Sequence, residues 1–312
     1  MKTAVVGCGA MGSIYAALLA SSGNVVCAVD HNTRHVAAIN EHGLRVSGAS
    51  GDRVVDMVAY TEPPEMLVDL VVIAVKAAHV ADAAVAALRL SGPDTLVLTI
   101  QNGLGSAEIV ADMVGPERLL VGVAQGFGAS LPADGHAHHN DMKAIRMGAY
   151  SGTAIEPAQH IASIWSSAGF DAVAVADIAS MQWGKLICNV AFSAQCALTG
   201  MTLGEVVDHP EMGSTSRAAA LEAWEVAQAL NVALDFDDPV QQVRDFADRM
   251  PLAKSSVLLD IEGGRTSEVG VINGAVPREA KKVGMTAPVN ATLTGLVQAL
   301  ERASRAPEVR LR

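Results

Sequence analysis

The chain is short of positive charge, of aromatic residues and of cysteine, and each shortage closes off a class of protein. Lys and Arg number 22 against 33 Asp and Glu, for a net charge of -11. A nucleic-acid partner is not expected, because phosphate binding draws on a cationic footprint. Aromatics make up 4% of residues and hydrophobics 50%, so the core is expected to be Ala, Val, Leu and Ile. That composition suits parallel sheets with packed helices better than an aromatic-rich sandwich. The four cysteines, Cys8, Cys27, Cys188 and Cys196, match neither a zinc site nor a CxxC pair, and read as reduced thiols of a cytoplasmic protein. Asp69, Lys76, His79 and Asp82 interrupt the longest apolar candidate, leaving no run of about 18 residues, so no membrane span is expected. The opening apolar stretch is broken by Gly7, Gly9 and Gly12, and is not read as a signal peptide.

What is present is organised in two halves. The 312 residues are enough for two domains. The first half alternates β-branched runs (3–6, 25–29, 70–75, 95–99, 119–124) with Ala-rich helical stretches (11–21, 34–42, 77–88, 107–114). This alternation predicts an α/β, doubly wound parallel sheet. An irregular stretch over 126–149 reads as hairpin or meander strands closing that sheet. From about residue 176 the pattern becomes helix-periodic, with helices expected over 180–196, 214–230, 239–250, 255–262, 267–283 and 288–304. The domains are therefore placed at 1–176 and 177–312, the second all-helical, with 306–312 a frayed tail.

Gly7-Cys8-Gly9-Ala10-Met11-Gly12 follows a strand and opens a helix. In that context GxGxxG is a dinucleotide loop: the glycines permit a tight turn and close approach to a pyrophosphate, and the helix N-terminus supplies positive partial charge. A plain Gly-rich turn is the alternative. Asp30 ends the second strand, where a carboxylate accepts hydrogen bonds from ribose hydroxyls and repels a 2′-phosphate. NAD is thereby favoured over NADP, although Asp30 could instead cap the next helix, with His31 and Arg34 binding phosphate. Lys76 and Asn102 follow the carboxyl ends of parallel strands, where ligands bind in such sheets. Taken singly they could be a solvated lysine and a turn.

In the second half Lys185, Asn189 and Ser193 share one helix face. A charge on this otherwise apolar helix is costly unless it faces polar partners, or snorkels. Ser255 and Ser256 precede another helix, where Ser255 could be only an N-cap. Glu268 and Asn273 are placed on the next helix, where Glu268 could be only an N-terminal charge.

Together, the glycine loop, Lys76, Gln101-Asn102-Gly103-Leu104-Gly105, Lys185-Leu186 with Asn189, Ser255-Ser256 with Asp260, and Glu268 with Ile272-Asn273-Gly274 resemble the ketopantoate reductase (2-dehydropantoate 2-reductase) family, in order and over nearly the whole chain. The resemblance implies a Rossmann-type dinucleotide-binding domain, a helical substrate and catalytic domain, and a substrate held in the cleft between them. It implies hydride transfer from NAD(P)H to a 2-oxo carbon while Lys185 protonates the nascent alkoxide, with Glu268 holding the substrate or the lysine. It further implies that Lys76 and Asn102 lie on the cofactor and substrate side and that Asn189 and Ser256 help hold the substrate. The residues themselves add cofactor contacts from Gly7, Gly9, Ala10, Met11, Gly12, Asp30 and His31 and a substrate contact from Ser193, Asp30 departing from family members that prefer NADP. The expected partner is a small 2-oxo acid, with no nucleic acid, membrane or metal; the reading admits a homodimer.

The chain also departs from the family pattern. Ser193-Ala194-Gln195-Cys196 replaces an Asn-Pro-Leu-Thr stretch, Gly270 an acidic residue, and Leu203 a substrate-binding asparagine. Lost polar groups weaken discrimination for a substrate hydroxyl. Two further functions therefore stand beside pantoate synthesis: a D-2-hydroxy acid dehydrogenase, and a non-catalytic dinucleotide sensor, which would need no Lys185. His136-Ala137-His138-His139 reads as a solvated loop rather than a zinc site.

Overall fold

In the computed structural model the described residues are 1–126, 128–141, 144–150 and 154–305; the tail expected over 306–312 lies outside them. The chain divides into two compact units, Met1–Gln101 with Ser106–Ile178, and Asn102–Gly105 with Ala179–Arg312. The second unit thus takes four residues, Asn102–Gly105, from within the stretch that otherwise forms the first unit.

The first unit runs β1 (Lys2–Val6), α1 (Ala10–Ser21), β2 (Val25–Val29), α2 (Thr33–His42), β3 (Leu44–Gly48), β4 (Arg53–Val55), β5 (Val58–Tyr60), β6 (Val68–Ile73), α3 (Val80–Leu90), β7 (Ser91–Thr99), α4 (Ser106–Val114), β8 (Leu119–Gln125), β9 (Gly128–Ala133), β10 (His136–Asp141), β11 (Ala144–Ala149), α5 (Glu156–Ser167) and β12 (Asp171–Ala174). Among the described residues eight strands form one sheet in the order β12-β11-β8-β7-β6-β1-β2-β5. It is parallel from β5 to β8, and β11 pairs antiparallel with β8. The doubly wound α/β expectation holds. β1, β2 and β6 are buried along nearly their whole length, as strands covered on both faces must be.

A second sheet, β4-β3-β10-β9, corrects the expectation for 126–149. β11 extends the main sheet, but the β9–β10 pair leaves it, β10 pairing with β3, which in turn pairs with β4. The reading by pattern also assigned nothing to 44–60, where three short strands stand; β4 and β5 have only three residues each, too few for an alternation to register. The small sheet packs on α1 through β3, β4, β9 and β10, while β1 and β2 contact α1 as well. α1 is therefore covered on two sides, which explains its unbroken burial from Gly12 to Leu19. Tyr15, Trp165 and Phe170 join α1 to α5 and its following loop, with ring centroids 4.9 to 5.9 Å apart.

The second unit is helical: α6 (Ile178–Thr199), α7 (Leu203–Asp208), α8 (Pro210–Ala229), α9 (Pro239–Arg249), α10 (Ser256–Glu262), α11 (Ala275–Lys282) and α12 (Pro288–Arg305). α7 had no pattern long enough to announce it. Its start is instead a capping box, with Thr202 and Glu205 exchanging side-chain and backbone hydrogen bonds. The helix expected over 267–283 is also corrected: residues 269–274 are turns, and the helix begins at Ala275. The cause is tertiary, because the Val271 carbonyl accepts the Leu104 N–H at 3.0 Å and is not spent on a helical ladder. Asn273 is buried behind this turn and donates to the Val190 carbonyl and Asn290 Oδ1, both at 3.0 Å. Its role is to tie the turn to α6 and α12. Among the described residues no helix is long and apolar enough to cross a membrane.

Candidate functional site

In the first unit the glycine loop joins β1 to α1 as the motif requires. Gly7 has φ +92°, and a Cβ there would lie 2.5 Å from Val75 Cγ1 and 2.7 Å from the Val75 nitrogen. A Cβ on Gly12 would lie 1.9 Å from the Gly7 oxygen. Packing alone therefore demands these two glycines. Gly9 differs: a Cβ there would meet nothing within 4 Å, so the protein's own atoms give no reason for its absence. Gly9 is the N-cap of α1 and supplies no side chain to the helix N–H groups; Ala10 and Met11 follow it, half-buried. Open space before an uncapped helix N-terminus fits a pyrophosphate.

Asp30 lies just past β2, its side chain 9% exposed, with Oδ1 accepting the Asn32 N–H at 2.8 Å. Asn32 caps α2, accepting from the Arg34 and His35 N–H groups, so helix capping is not what Asp30 is for. His31 is exposed, its Nδ1 3.7 Å from Asp30 Oδ1, and its ring centroid lies 6.1 Å from that of His79. Arg34 Nε lies 3.5 Å from Asp134, which draws its charge away from a phosphate role. Lys76 is exposed, at the start of a 3₁₀ turn over Ala77–His79. Gln101 Nε2 donates to the Ile73 and Val75 carbonyls at 2.7 and 3.2 Å, pinning the end of β6 to the segment after β7.

In the second unit Lys185 Nζ donates to Asn102 Oδ1 at 2.7 Å. Sequence reasoning placed Asn102 at a strand end beside Lys76; its structural partner is the α6 lysine. Loss of hydration on burial lowers the Lys185 pKa from 10.5 to about 8, and the attraction of Glu268 acts in the opposite direction. Glu268 is buried, in the turn before α11 rather than on a helix. Asn189, half-buried, and Ser193, buried, continue the Lys185 face of α6. The Ser255 hydroxyl accepts the Leu258 N–H at 3.2 Å and donates to the Ser193 carbonyl at 3.3 Å; it is a cap and a tie. Ser256 stands exposed at the first position of α10. Asp260 is buried and paired with Arg265 at 3.1 Å.

Two supports escaped the sequence reading. Arg278 donates to the Leu104 carbonyl at 2.9 Å across 174 residues, and a Cβ on Gly103 would lie 1.9 Å from the Val271 oxygen. Both hold the Asn102–Gly105 loop that presents Asn102 to Lys185. Such a contact leaves no local signature in the sequence; Gly103 was visible only as part of a turn. The histidine stretch is corrected as well. It is strand β10, with Ala137 and His139 buried and His136 and His138 flanking Ser47 at 2.8 and 3.0 Å. Among the described residues no group of three or more His, Cys, Asp or Glu could hold a metal ion.

Comparison with known proteins adds a chemical context. The family model described as ketopantoate reductase PanE/ApbA matches residues 3–152, and that of its C-terminal part residues 177–301. The chain is 31% identical to the 2-dehydropantoate 2-reductase of Halobacterium salinarum over 304 residues, 97% of this chain and 99% of that protein. Among solved structures it is similar to a PanE/ApbA family ketopantoate reductase from Ralstonia eutropha (TM-score 0.89, 29% identity, 98% of this chain and 100% of that one). It is similar too to D-mandelate dehydrogenase in a ternary structure with NADH and anilino(oxo)acetate (TM-score 0.90, 25% identity, 98% and 100%).

Proposed function

The chain belongs to the ketopantoate reductase PanE/ApbA family, and on that premise we propose that it reduces a 2-oxo acid to the 2-hydroxy acid with NAD(P)H, 2-dehydropantoate being the first candidate substrate and Lys185 the proton donor. The observation that carries this reading is the Lys185 ammonium, held at 2.7 Å by Asn102 with its pKa lowered to about 8. Such a group is charged at neutral pH and close enough to neutrality to surrender a proton.

The open space at Gly9 before the uncapped α1 fits a dinucleotide, with Gly7, Gly9, Ala10, Met11 and Gly12 forming its cradle and Lys76 beside the strand ends. NAD(P)H, when bound, supplies the hydride for C2 of the substrate. Lys185 stabilises the negative charge that develops on the C2 oxygen and delivers the Nζ proton to it, becoming a neutral amine. The Asn102 carbonyl oxygen orients the ammonium for that transfer. Glu268 favours the charged lysine before the transfer. Asn189, Ser193 and Ser256 supply polar contacts to the substrate. Asp30 supports a preference for NADH, since it is not used as a helix cap.

A second reading, a D-2-hydroxy acid dehydrogenase acting on another side chain, is favoured by Leu203, which is packed in the apolar core of the helical unit and offers no donor. Four buried free cysteines suit a reducing compartment, and the cytoplasm is the proposed location. The test is oxidation of NADH and NADPH with 2-dehydropantoate and a panel of 2-oxo acids. Turnover is expected in the wild type, with a loss of about 10²-fold or more in Lys185→Ala. No turnover of any 2-oxo acid would overturn the proposal, and wild-type-like turnover in Lys185→Ala would remove the lysine from it.

A further inference from the structure

A buried chain of polar groups runs behind the glycine loop, entirely within the first unit. The Ser13 hydroxyl donates to the Cys8 carbonyl at 2.9 Å and lies 3.3 Å from His35 Nε2. On the far side of the ring, His35 Nδ1 accepts the Gly135 N–H at 3.0 Å. Ser13 is 0% exposed and His35 1%. The donors determine the tautomer. Nδ1 is occupied as an acceptor, so a neutral ring carries its proton on Nε2 and donates it to Ser13 Oγ, and the single Ser13 proton goes on to Cys8. Every link points one way, from the β9–β10 turn to the loop. A charged ring would set an Nδ1 proton against the Gly135 N–H. Burial lowers the His35 pKa, while the Asp30 and Asp134 carboxylates and the Cys8 carbonyl pull the other way.

The Cys8 carbonyl belongs to the peptide that ends on Gly9. That peptide is trans, since no cis bond occurs among the described residues, and in a planar trans peptide C=O and N–H point in opposite directions. Holding the Cys8 oxygen inward against Ser13 therefore turns the Gly9 N–H away from Ser13. Gly9 is also the one motif glycine that no protein atom crowds. The anchor of the chain is firm, because the Gly135 carbonyl accepts the Arg45 N–H at 2.9 Å and so ties the turn to β3.

We propose that Ser13 and His35 are positioning residues for the dinucleotide, a one-directional relay that sets the Gly9 N–H for the pyrophosphate and links cofactor affinity to the β9–β10 turn. The proposal rests on the reading of the glycine loop as the dinucleotide site.

The test titrates the full chain with NADH by fluorescence at pH 8, without oxo acid, and measures KM and kcat in parallel. Ser13→Ala and His35→Leu should each weaken NADH binding about 3- to 10-fold, the scale of one hydrogen bond, with kcat at saturating NADH within about twofold of wild type. In the double variant the loss should match the single ones, because cutting a relay twice adds little. His35→Gln, which restores a donor toward Ser13, should bind within about twofold of wild type. Should His35→Leu fail to fold, Ser13→Ala decides alone. Wild-type NADH affinity in Ser13→Ala, even with a lowered melting temperature, or multiplicative losses in the double variant, would overturn the relay. A wild-type chain that binds neither NADH nor NADPH would overturn the dinucleotide site itself.

Discussion

The Lys185 amine makes a quantitative prediction about pH. Its pKa stands at about 8 instead of 10.5 because burial strips water from the charged form, with Glu268 partly opposing the shift. A general acid works only while protonated. About 90% of the lysine is protonated at pH 7 and about 10% at pH 9, whereas an ordinary lysine would still be about 97% protonated at pH 9. With dinucleotide saturating, kcat/KM for the 2-oxo acid should therefore fall about tenfold between pH 7 and pH 9, a limb that reports the pKa of the enzyme awaiting substrate. Oxidation of the 2-hydroxy acid should rise over the same interval, since the neutral amine must then accept the proton. Glu268→Gln removes the attraction that props the pKa up, so its falling limb should move to lower pH. The assay is nicotinamide absorbance under initial-rate conditions in both directions. A reduction rate flat to pH 10, or a limb moved to higher pH in Glu268→Gln, would refute the reasoning.

The glycine loop separates packing from binding. Gly12→Ala should destabilise the fold by about 1–3 kcal/mol or more, because its Cβ would meet the Gly7 oxygen at 1.9 Å, whereas Gly9→Ala should unfold near the wild-type temperature yet bind NADH poorly; calorimetry and NADH titration check both. NADH should be used more efficiently than NADPH, and Asp30→Ala should narrow the gap, as measured by kcat/KM for each; a wild-type preference for NADPH would reassign the phosphate to His31 and Arg34. With Leu203 and Gly270 in place of polar groups and Ser193 in place of a longer asparagine, 2-dehydropantoate should be favoured over 2-oxoisovalerate by no more than about 100-fold in kcat/KM, and discrimination of 10⁴-fold would show a dedicated hydroxyl site.

Where the determinants are local, they were legible in the residues alone. The parallel strands declare themselves as continuous apolar runs because both faces are buried. The loop from Gly7 to Gly12 declares its turn because two of its glycines have no room for a Cβ. Lys185, Asn189 and Ser193 share a face because helical periodicity puts them there. The four-stranded second sheet did not declare itself: β4, with three residues, carries no readable period, and the sheet is closed by the pairing of β3 with β10, about 90 residues further along the chain.

The sequence by itself determined the family, the doubly wound sheet and the candidate lysine. Only the tertiary structure decided which groups act on that lysine. Asn102 reaches Lys185 across 83 residues, on a loop held by Arg278 and by the Val271 carbonyl. Glu268 sits before the turn over 269–274, not on a helix. The lowered Lys185 pKa and the His35 tautomer follow from burial and from partners distant in the chain. Side-chain spacing along one segment encodes periodicity and caps, whereas desolvation and long-range hydrogen bonds are properties of the assembled fold.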